Sequence, residues 1–347
     1  MSDVAPNFYR STPREIREFI TDCLMAGLVP LLRASPGVGK SSIIKSIAKE
    51  LKLKVIDHRL STSEPTDMSG LPQFVDGFAR FAPFQELFPL AGTPIPNGYD
   101  GWMIFFDEFN SAPKAVQAAC YKVILDRMIG QHMLHENVVL VCAGNLDTDR
   151  AIVNPIGTAM QSRVVHLEME VSHEQWMQDV AIPENYDSRI IAFLNQYPSK
   201  LMDFRPEHNE KTFCCPRTWE FMNRLINGNE VMDSKTALYA GTITSGVAAE
   251  FVQYTKIFKT MVSIKDILAD PLYVEVPQDS PTQWAVISHM MEKVDPKNFE
   301  SLSHYANRFP MSFRIVFYRS ILLRHPELKR HTAFVKVQSQ LSKYLYS

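Results

Sequence analysis

One glycine-rich turn, RASPGVGKSS at residues 33–42, constrains the fold more than any other part of the sequence. It follows the short apolar run LVPLLRA (28–34), which is typical of a buried strand, and it opens KSSIIKSIAKEL (40–51), whose apolar residues recur at helical spacing. A turn between a strand and a helix can aim backbone N–H groups and the positive end of the helix dipole at an anion. The sequence therefore predicts a phosphate-binding loop.

The turn fits the pattern G-x-x-x-x-G-K-[ST] except at its first position, where Ala34 replaces glycine. In this pattern the lysine, Lys40, contacts the β- and γ-phosphates of a triphosphate, and the hydroxyl of Ser41 binds Mg²⁺. The alternative is a glycine-rich turn that binds nothing, which the flanking strand and helix disfavour. The predicted nucleotide-binding residues are Pro36, Gly37, Val38, Gly39, Lys40, Ser41 and Ser42.

Two carboxylates end a later apolar run, WMIFFDE at residues 102–108. An aspartate at the carboxyl end of a central strand can reach Mg²⁺, and the next glutamate can polarise a water molecule. Alone, such a pair is often just a strand meeting solvent, but here it follows a phosphate-binding loop. We therefore assign Asp107 to the metal and Glu108 to the role of catalytic base.

Three further residues are candidate sensors of the nucleotide. Asn145 ends the run NVVLVCAGN, where its amide can orient the attacking water; the alternative is a turn residue. Arg163 lies at the start of the next strand. It is either an arginine finger that meets the γ-phosphate bound by a neighbouring subunit or a member of a surface ion pair. Arg217 lies in the first turn of a helix, where a cation needs an anionic partner, which is either the nucleotide or a carboxylate such as Glu220.

Apolar runs alternate with helical segments up to about residue 170, and this predicts an α/β domain built on a doubly wound parallel sheet. A Pro- and Gly-rich insertion, residues 62–101, interrupts the pattern and is expected to be functional or mobile. Its phenylalanines either project toward a partner or pack onto the sheet. The runs predicted as strands are residues 28–34, 54–61, 102–108, 137–145 and 162–170.

Helical spacing dominates after residue 170. We divide the chain into an α/β nucleotide-binding domain (1–170), an all-α lid (171–265) and a helical C-terminal extension (266–347). The most basic tract, RHPELKRHTAFVK at 324–336, fits a solvated helix face. Helices are predicted near residues 173–181, 187–196, 216–226, 234–257, 281–294, 297–306 and 310–323.

Composition excludes several classes of protein. The 347 residues are 46% hydrophobic and 21% charged, as in folded globular proteins, and the formal net charge of −2 gives no global attraction to nucleic acid. The sequence lacks an export signal and a run of 18 apolar residues, so we expect a cytoplasmic protein without membrane contact. Five cysteines without C-x-x-C spacing are expected to be reduced core residues, the alternative being a strained disulfide between Cys214 and Cys215.

Taken in order, the motifs PGVGKS, FFDEFN, CAGN, SR and CPR resemble those of the AAA+ ATPases, within them the MoxR-type and dynein-related group. The resemblance covers roughly residues 13–227 and includes the EPTDMSGLP segment of the insertion. It implies ATP and Mg²⁺ as ligands, a helical lid bearing a second arginine sensor, and active sites shared between subunits of a ring, often a hexamer. In such a ring Arg163 is the finger, with Arg150 as a competing candidate, and Arg217 is the second sensor.

The resemblance favours a chaperone-like motor that hydrolyses ATP, forms a homo-oligomeric ring and remodels a protein client, with a von Willebrand factor A domain protein as a possible partner. Two alternatives stay open. One is a motor or loader that acts on nucleic acid, for which the sequence offers no helix-turn-helix or zinc module. The other is a binding module that holds ATP with little hydrolysis, against which the presence of both Asp107 and Glu108 argues.

Overall fold

The computed structural model describes residues 9–149, 154–207 and 209–345. The chain forms two compact units, residues 1–171 and residues 172–347. The first unit is built on a six-stranded sheet in the order β1-β10-β2-β9-β6-β3, and every neighbouring pair is parallel. Its strands are β1 (Arg10–Ser11), β2 (Pro30–Arg33), β3 (Leu53–Arg59), β6 (Gly101–Asp107), β9 (Val138–Gly144) and β10 (Val165–Met169).

The central strand β6 shows why the sheet carries helices on both faces. All seven of its residues are buried, and alternate side chains of a strand point to opposite faces. Met103 and Phe105 belong to the core cluster that includes α1 and α2, whereas Ile104 and Phe106 belong to the cluster that includes α4. The predicted doubly wound sheet is confirmed. The helices of this unit are α1 (Pro13–Met25), α2 (Lys40–Glu50), α3 (Pro65–Ser69), α4 (Lys114–Asp126) and α5 (Thr158–Gln161).

The insertion contains a β-hairpin that the sequence did not predict. Strands β4 (Leu71–Val75) and β5 (Phe78–Ala82) pair antiparallel, and Asp76 and Gly77, both at positive φ, form the two-residue turn. Phe74 is 85% exposed and Phe78 70% exposed, so the phenylalanines at the tip do not pack onto the sheet.

A second hairpin, β7 (Met128–Ile129) with β8 (His132–Met133), packs against the root of the first. A Cβ atom at Gly130 would lie 2.9 Å from Cβ of Phe81 and 2.7 Å from the carbonyl oxygen of Ser69. The glycine therefore allows the two segments to approach closely, in a backbone conformation with φ of +56°.

The second unit is helical over its described residues, and the predicted helix at 216–226 matches α8. The segment expected as one helix at 234–257 is two, because Thr244 takes a positive φ between α9 and α10. The division into lid and extension stays a prediction. The helices are α6 (His173–Trp176), a π-helical turn Met177–Ala181, α7 (Ser188–Gln196), α8 (Pro216–Ile226), α9 (Thr236–Ile243), α10 (Ser245–Thr255), α11 (Ile257–Thr260), α12 (Ile264–Ala269), α13 (Ser280–Lys293), α14 (Phe299–Ala306), α15 (Met311–Arg324) and α16 (Thr332–Leu345).

Two general expectations concern thiols and membranes. All five cysteines are buried with free thiols, including the adjacent Cys214 and Cys215, so the alternative of a disulfide between them is wrong. Within residues 9–149, 154–207 and 209–345, no helix combines the length and apolar character that a bilayer crossing requires.

Candidate functional site

The phosphate-binding loop lies between β2 and α2, where the sequence predicted it. Gly37 and Gly39 take φ values of +78° and +96°, which residues with a Cβ atom rarely adopt. Ala34, the departure from the motif, is fully buried and is not among the residues with positive φ. Its N–H donates to the carbonyl of Gly144 at the end of β9, 3.3 Å away. Alanine is therefore compatible with this position, because the backbone there does not need glycine.

The ammonium group of Lys40 lies at the centre of the site. Its Nζ donates to the carbonyl oxygens of Ala34 at 2.6 Å and Ser35 at 3.1 Å, and to Oδ1 of Asn145 at 3.2 Å. The lysine of the loop and the asparagine at the end of β9 are thus in direct contact. This positions Asn145 beside the group predicted to bind the terminal phosphates.

The hydroxyl of Ser41 donates to Oδ2 of Asp107, 3.0 Å away. Asp107 ends β6 and is only 8% exposed, and its other oxygen accepts the N–H of Glu108 at 2.9 Å. A hydroxyl and a buried carboxylate oxygen are hard donors of the kind that Mg²⁺ prefers. The described residues contain no cluster of three or more His, Cys, Asp or Glu that could hold a metal alone, so these two groups fit a cation that also binds phosphate oxygens and water.

Glu108, the predicted base, follows β6 in a left-handed backbone conformation with φ of 57°. Its Oε2 accepts a hydrogen bond from the hydroxyl of Ser61, in the 3₁₀ turn Leu60–Thr62 after β3. Arg59 lies 3.7 Å from Oε1. Both partners come from the end of β3 and the turn that follows it. Neither was predicted, because nothing in their local sequence marks them as partners of a residue 47 to 49 positions away.

Asn110 was also missed, although it is the most buried polar residue near the site, at 1% exposed. Its Nδ2 donates to the carbonyl of Asn145 at 2.8 Å, and its Oδ1 accepts the N–H of Asn145 at 3.0 Å. A Cβ at Gly144 would lie 2.3 Å from this Oδ1, so the glycine leaves room for the contact. This reciprocal pair fixes the backbone of Asn145 and hence the direction of its side chain.

A buried carboxylate, Asp149, lies at the start of the loop. Its Oδ1 accepts the hydroxyl of Ser35 at 3.2 Å, while Oδ2 is buried without a hydrogen-bond partner. Burial raises the pKa of Asp149, whereas the hydrogen bond from Ser35 and the charge of Lys40 oppose that rise. This group was not predicted, since an aspartate in a loop is usually solvated.

Arg163 is not part of this group of contacts. Its guanidinium donates to the carbonyl of Ala159 and to the hydroxyl of Ser162, and lies over the ring of Tyr121 at 5.2 Å from the centroid. It is exposed and forms no ion pair with any other residue in the described ranges, so both interpretations of Arg163 stay predictions. The competing candidate Arg150 lies outside the described residues.

Arg217 belongs to the second unit, in the first turn of α8. It is exposed, and in the part of the chain that the structure describes it forms no ion pair. Glu220, its suggested alternative partner, pairs instead with Arg224 one turn further along the helix. The cation at this helix N-terminus therefore has no carboxylate partner among the described residues.

One comparison with known proteins bears on the fold. Residues 30–164 match the model of the ATPase family associated with various cellular activities (AAA), and with the parallel sheet this shows an AAA P-loop NTPase fold. A structure of RuvB from Thermotoga maritima, described as a Holliday junction branch migration motor, is similar at 16% identity and a TM-score of 0.37, over 73% of this chain and 76% of that one.

A putative ATPase from Cytophaga hutchinsonii is similar at 14% identity and a TM-score of 0.35, over 95% of this chain and 88% of that one. These two likenesses are too distant to indicate a function. Comparison with curated protein sequences gives no match.

Proposed function

We propose that this protein binds and hydrolyses Mg-ATP as a MoxR-type AAA+ motor. One observation carries the proposal: Lys40 contacts Asn145 and Ser41 contacts Asp107, which joins the loop to the ends of β9 and β6. Four residues from three separate motifs thus meet at one edge of the sheet. An edge formed by the carboxyl ends of parallel strands is where nucleotides bind in open α/β sheets.

Each residue of the site has a proposed role in ATP binding or hydrolysis that follows from its charge and its hydrogen-bonding groups. Lys40 neutralises negative charge that develops on the β- and γ-phosphates, and backbone N–H groups at the start of α2 orient them. Ser41 and Asp107 would hold Mg²⁺, which supplies charge neutralisation on the phosphate oxygens when it is bound. Asn145, fixed through Asn110, orients a water molecule, and Glu108 accepts its proton.

We assign Arg163 to the active site of a neighbouring subunit, in a homo-oligomeric ring. Its exposure and its lack of contact with Lys40, Asp107 and Glu108 support a role in trans. Arg217 is proposed as the second sensor of the nucleotide, for which its unpaired charge is suited. A protein client and a von Willebrand factor A domain partner are further proposals that follow from the resemblance alone.

The test is ATP turnover per protomer with Mg²⁺ as the protein concentration rises. We expect a specific rate that climbs and reaches a plateau, because assembly completes each site. Glu108→Gln should bind ATP but lose at least about 100-fold in turnover, within the range expected for removal of a general base. Turnover that survives in Glu108→Gln would show that Glu108 is not the base.

A second candidate, a nucleotide-gated module with little basal hydrolysis, is favoured by one contact. The carboxylate of Glu108 is engaged by Ser61, and Arg59 lies beside it, so the proposed base already has partners of its own. A rate near zero at every protein concentration, together with measurable ATP binding, would support this candidate over the motor. A rate that rises when Ser61 is removed would favour the motor held in a resting state.

A further inference from the structure

Charge is unevenly distributed along the chain. Residues 301–347 contain eight lysines and arginines and a single acidic residue, Glu327, although the whole chain has a formal net charge of −2. The helices α15 and α16 together contain no aspartate or glutamate. Segregation of charge of this kind is typical of a surface that binds a polyanion.

Two lysines of α16 share one of its faces, and an arginine of α15 reaches that face. Lys336, Gln340 and Lys343 recur at intervals of four and three residues, so they share one face of α16, along which the lysines are separated by about 10 Å. Nη2 of Arg314, on α15, donates to Oε1 of Gln340 at 3.1 Å. We call Arg314, Lys336, Gln340 and Lys343 the cationic ridge.

The charge of the ridge is not neutralised within the described residues. Lys336 and Lys343 are exposed and form no ion pair there. Other cations of α15 have structural partners: Arg319 pairs with Glu174, and Arg324 donates to the carbonyls of Ile182 and Met291. The ridge is therefore the part of these helices with charge left for a ligand.

The opposite face of α16 argues against a membrane as that ligand. Its apolar residues, among them Phe334, Val337 and Leu341, are buried in the second unit, so no broad apolar face is left to enter a bilayer. What the ridge offers instead are cations with an amide between them. Arginine, lysine, amide and hydroxyl groups are the side chains that contact the phosphates of nucleic acid.

We propose that the cationic ridge binds the phosphate backbone of nucleic acid, without sequence preference. The contact needs neither ATP nor the phosphate-binding loop, so it can be tested separately from hydrolysis. With two or three phosphates neutralised, the slope of log Kobs against log salt concentration should be about −2 to −3. Affinity should therefore be measurable at low salt and weak at high salt.

The experiment measures fluorescence anisotropy of a fluorescein-labelled 30-base-pair DNA duplex and of its single strand, with the full chain and without nucleotide, from 25 to 200 mM KCl. We expect Lys336→Glu/Lys343→Glu to lose at least tenfold in affinity and to flatten the salt slope by roughly two. The matched control is Lys265→Glu/Lys297→Glu, which changes the net charge equally at two exposed lysines elsewhere in the unit and should change affinity less than twofold.

Several results would overturn the proposal: no binding of either probe at 25 mM KCl, or equal losses in the two variants. Binding to phosphatidylserine vesicles but not to DNA would assign the ridge to a membrane. A mass by light scattering that falls in Lys336→Glu/Lys343→Glu but not in the control would assign it to a second copy of the chain. If the glutamate variant does not fold, Lys336→Gln/Lys343→Gln provides the same comparison, with an expected loss of roughly threefold or more.

Discussion

The residues of the candidate site fall into two groups: those proposed to bind the nucleotide or act in hydrolysis, and those that position them through hydrogen bonds. Lys40, Ser41, Asp107 and Asn145 were predictable because their motifs are local and the strand ends bring them together. Asn110, Ser61 and Asp149 were not, because each acts through a contact that only the folded chain creates. A sequence displays the spacing of groups along the chain, whereas these contacts depend on neighbouring strands.

Removal of the Ser61 hydroxyl should release Glu108. We expect Ser61→Ala to raise ATP turnover in the absence of any client by roughly tenfold to 150-fold, because a hydrogen bond to a charged group is worth about 1.5–3 kcal/mol. The control is Ser63→Ala, since that hydroxyl donates to the carbonyl of Arg59 and does not contact Glu108. Steady-state turnover at saturating ATP measures the effect, and equal rates in the two variants would contradict it.

Asp149 should make stability depend on pH. Burial raises its pKa in the folded state, so the folded chain holds the proton more tightly than the unfolded chain. Tighter proton binding by the folded chain stabilises it. That stabilisation is complete below the pKa of Asp149 in the unfolded chain, and it is lost as the pH rises through the pKa of Asp149 in the folded chain. Asp149→Asn should therefore raise the melting temperature at pH 7.5 by about 2–4 °C, for roughly 1 kcal/mol, and by less at pH 4.5.

The matched control for that measurement is Asp147→Asn, because Asp147 is 67% exposed and pairs with Arg33 on the surface. We expect it to change the melting temperature by less than about 2 °C at either pH. If the melting temperatures of the wild type and Asp149→Asn differ by the same amount at both pH values, the pKa of Asp149 does not change on folding.

At the scale of elements, the sequence predicted the long strands and helices with a regular apolar pattern, and it did not predict the short hairpin strands. The unbroken apolar run of β6 and the helical spacing of α8 identified both elements, since each buries a continuous face. The hairpins of the first unit escaped because two- to five-residue strands show little alternation. Thr244 gave no signal that its backbone would divide a helix, because a threonine rarely takes positive φ.

The close approach of the two hairpins can be tested at Gly130. We expect Gly130→Ala to destabilise the protein by about 2–3 kcal/mol, because its Cβ would clash with Ser69 and Phe81 in addition to the strain of positive φ. Gly92→Ala is the control, since Gly92 has φ of +86° and open space around its Cβ position. Urea denaturation measures the free energy of unfolding of the two variants. Equal losses of stability in Gly130→Ala and Gly92→Ala would mean that the contact between the hairpins adds no packing constraint.

At the scale of the whole molecule, the sequence indicated a nucleotide-binding domain followed by a helical region, and the structure has an α/β unit and a helical unit. It did not indicate a cationic ridge, because Lys336 and Lys343 look like ordinary surface lysines until Arg314 is seen to reach the same face. The assembly and the client of the motor stay proposals, since a ring depends on surfaces whose partners a single chain does not contain.

Mixing two inactive variants tests the ring. Glu108→Gln retains Arg163, and Arg163→Ala retains Glu108, so a mixed assembly contains sites with both groups intact. Random mixing of equal amounts should restore about a quarter of wild-type turnover, whereas each variant alone stays inactive. Turnover of the mixture equal to the mean of the separate variants would show that Arg163 does not act in a neighbouring subunit.

The burial of all five thiols has a practical consequence. A thiol-reactive dye added to the folded chain should leave the native cysteines unmodified, because burial blocks the access of the dye to their sulfur atoms. A single cysteine introduced at Asp76, in the turn between β4 and β5, would then be the one reactive position. The chain is thus ready for distance measurements between hairpin tips of neighbouring subunits in the proposed ring, with no prior removal of its native cysteines.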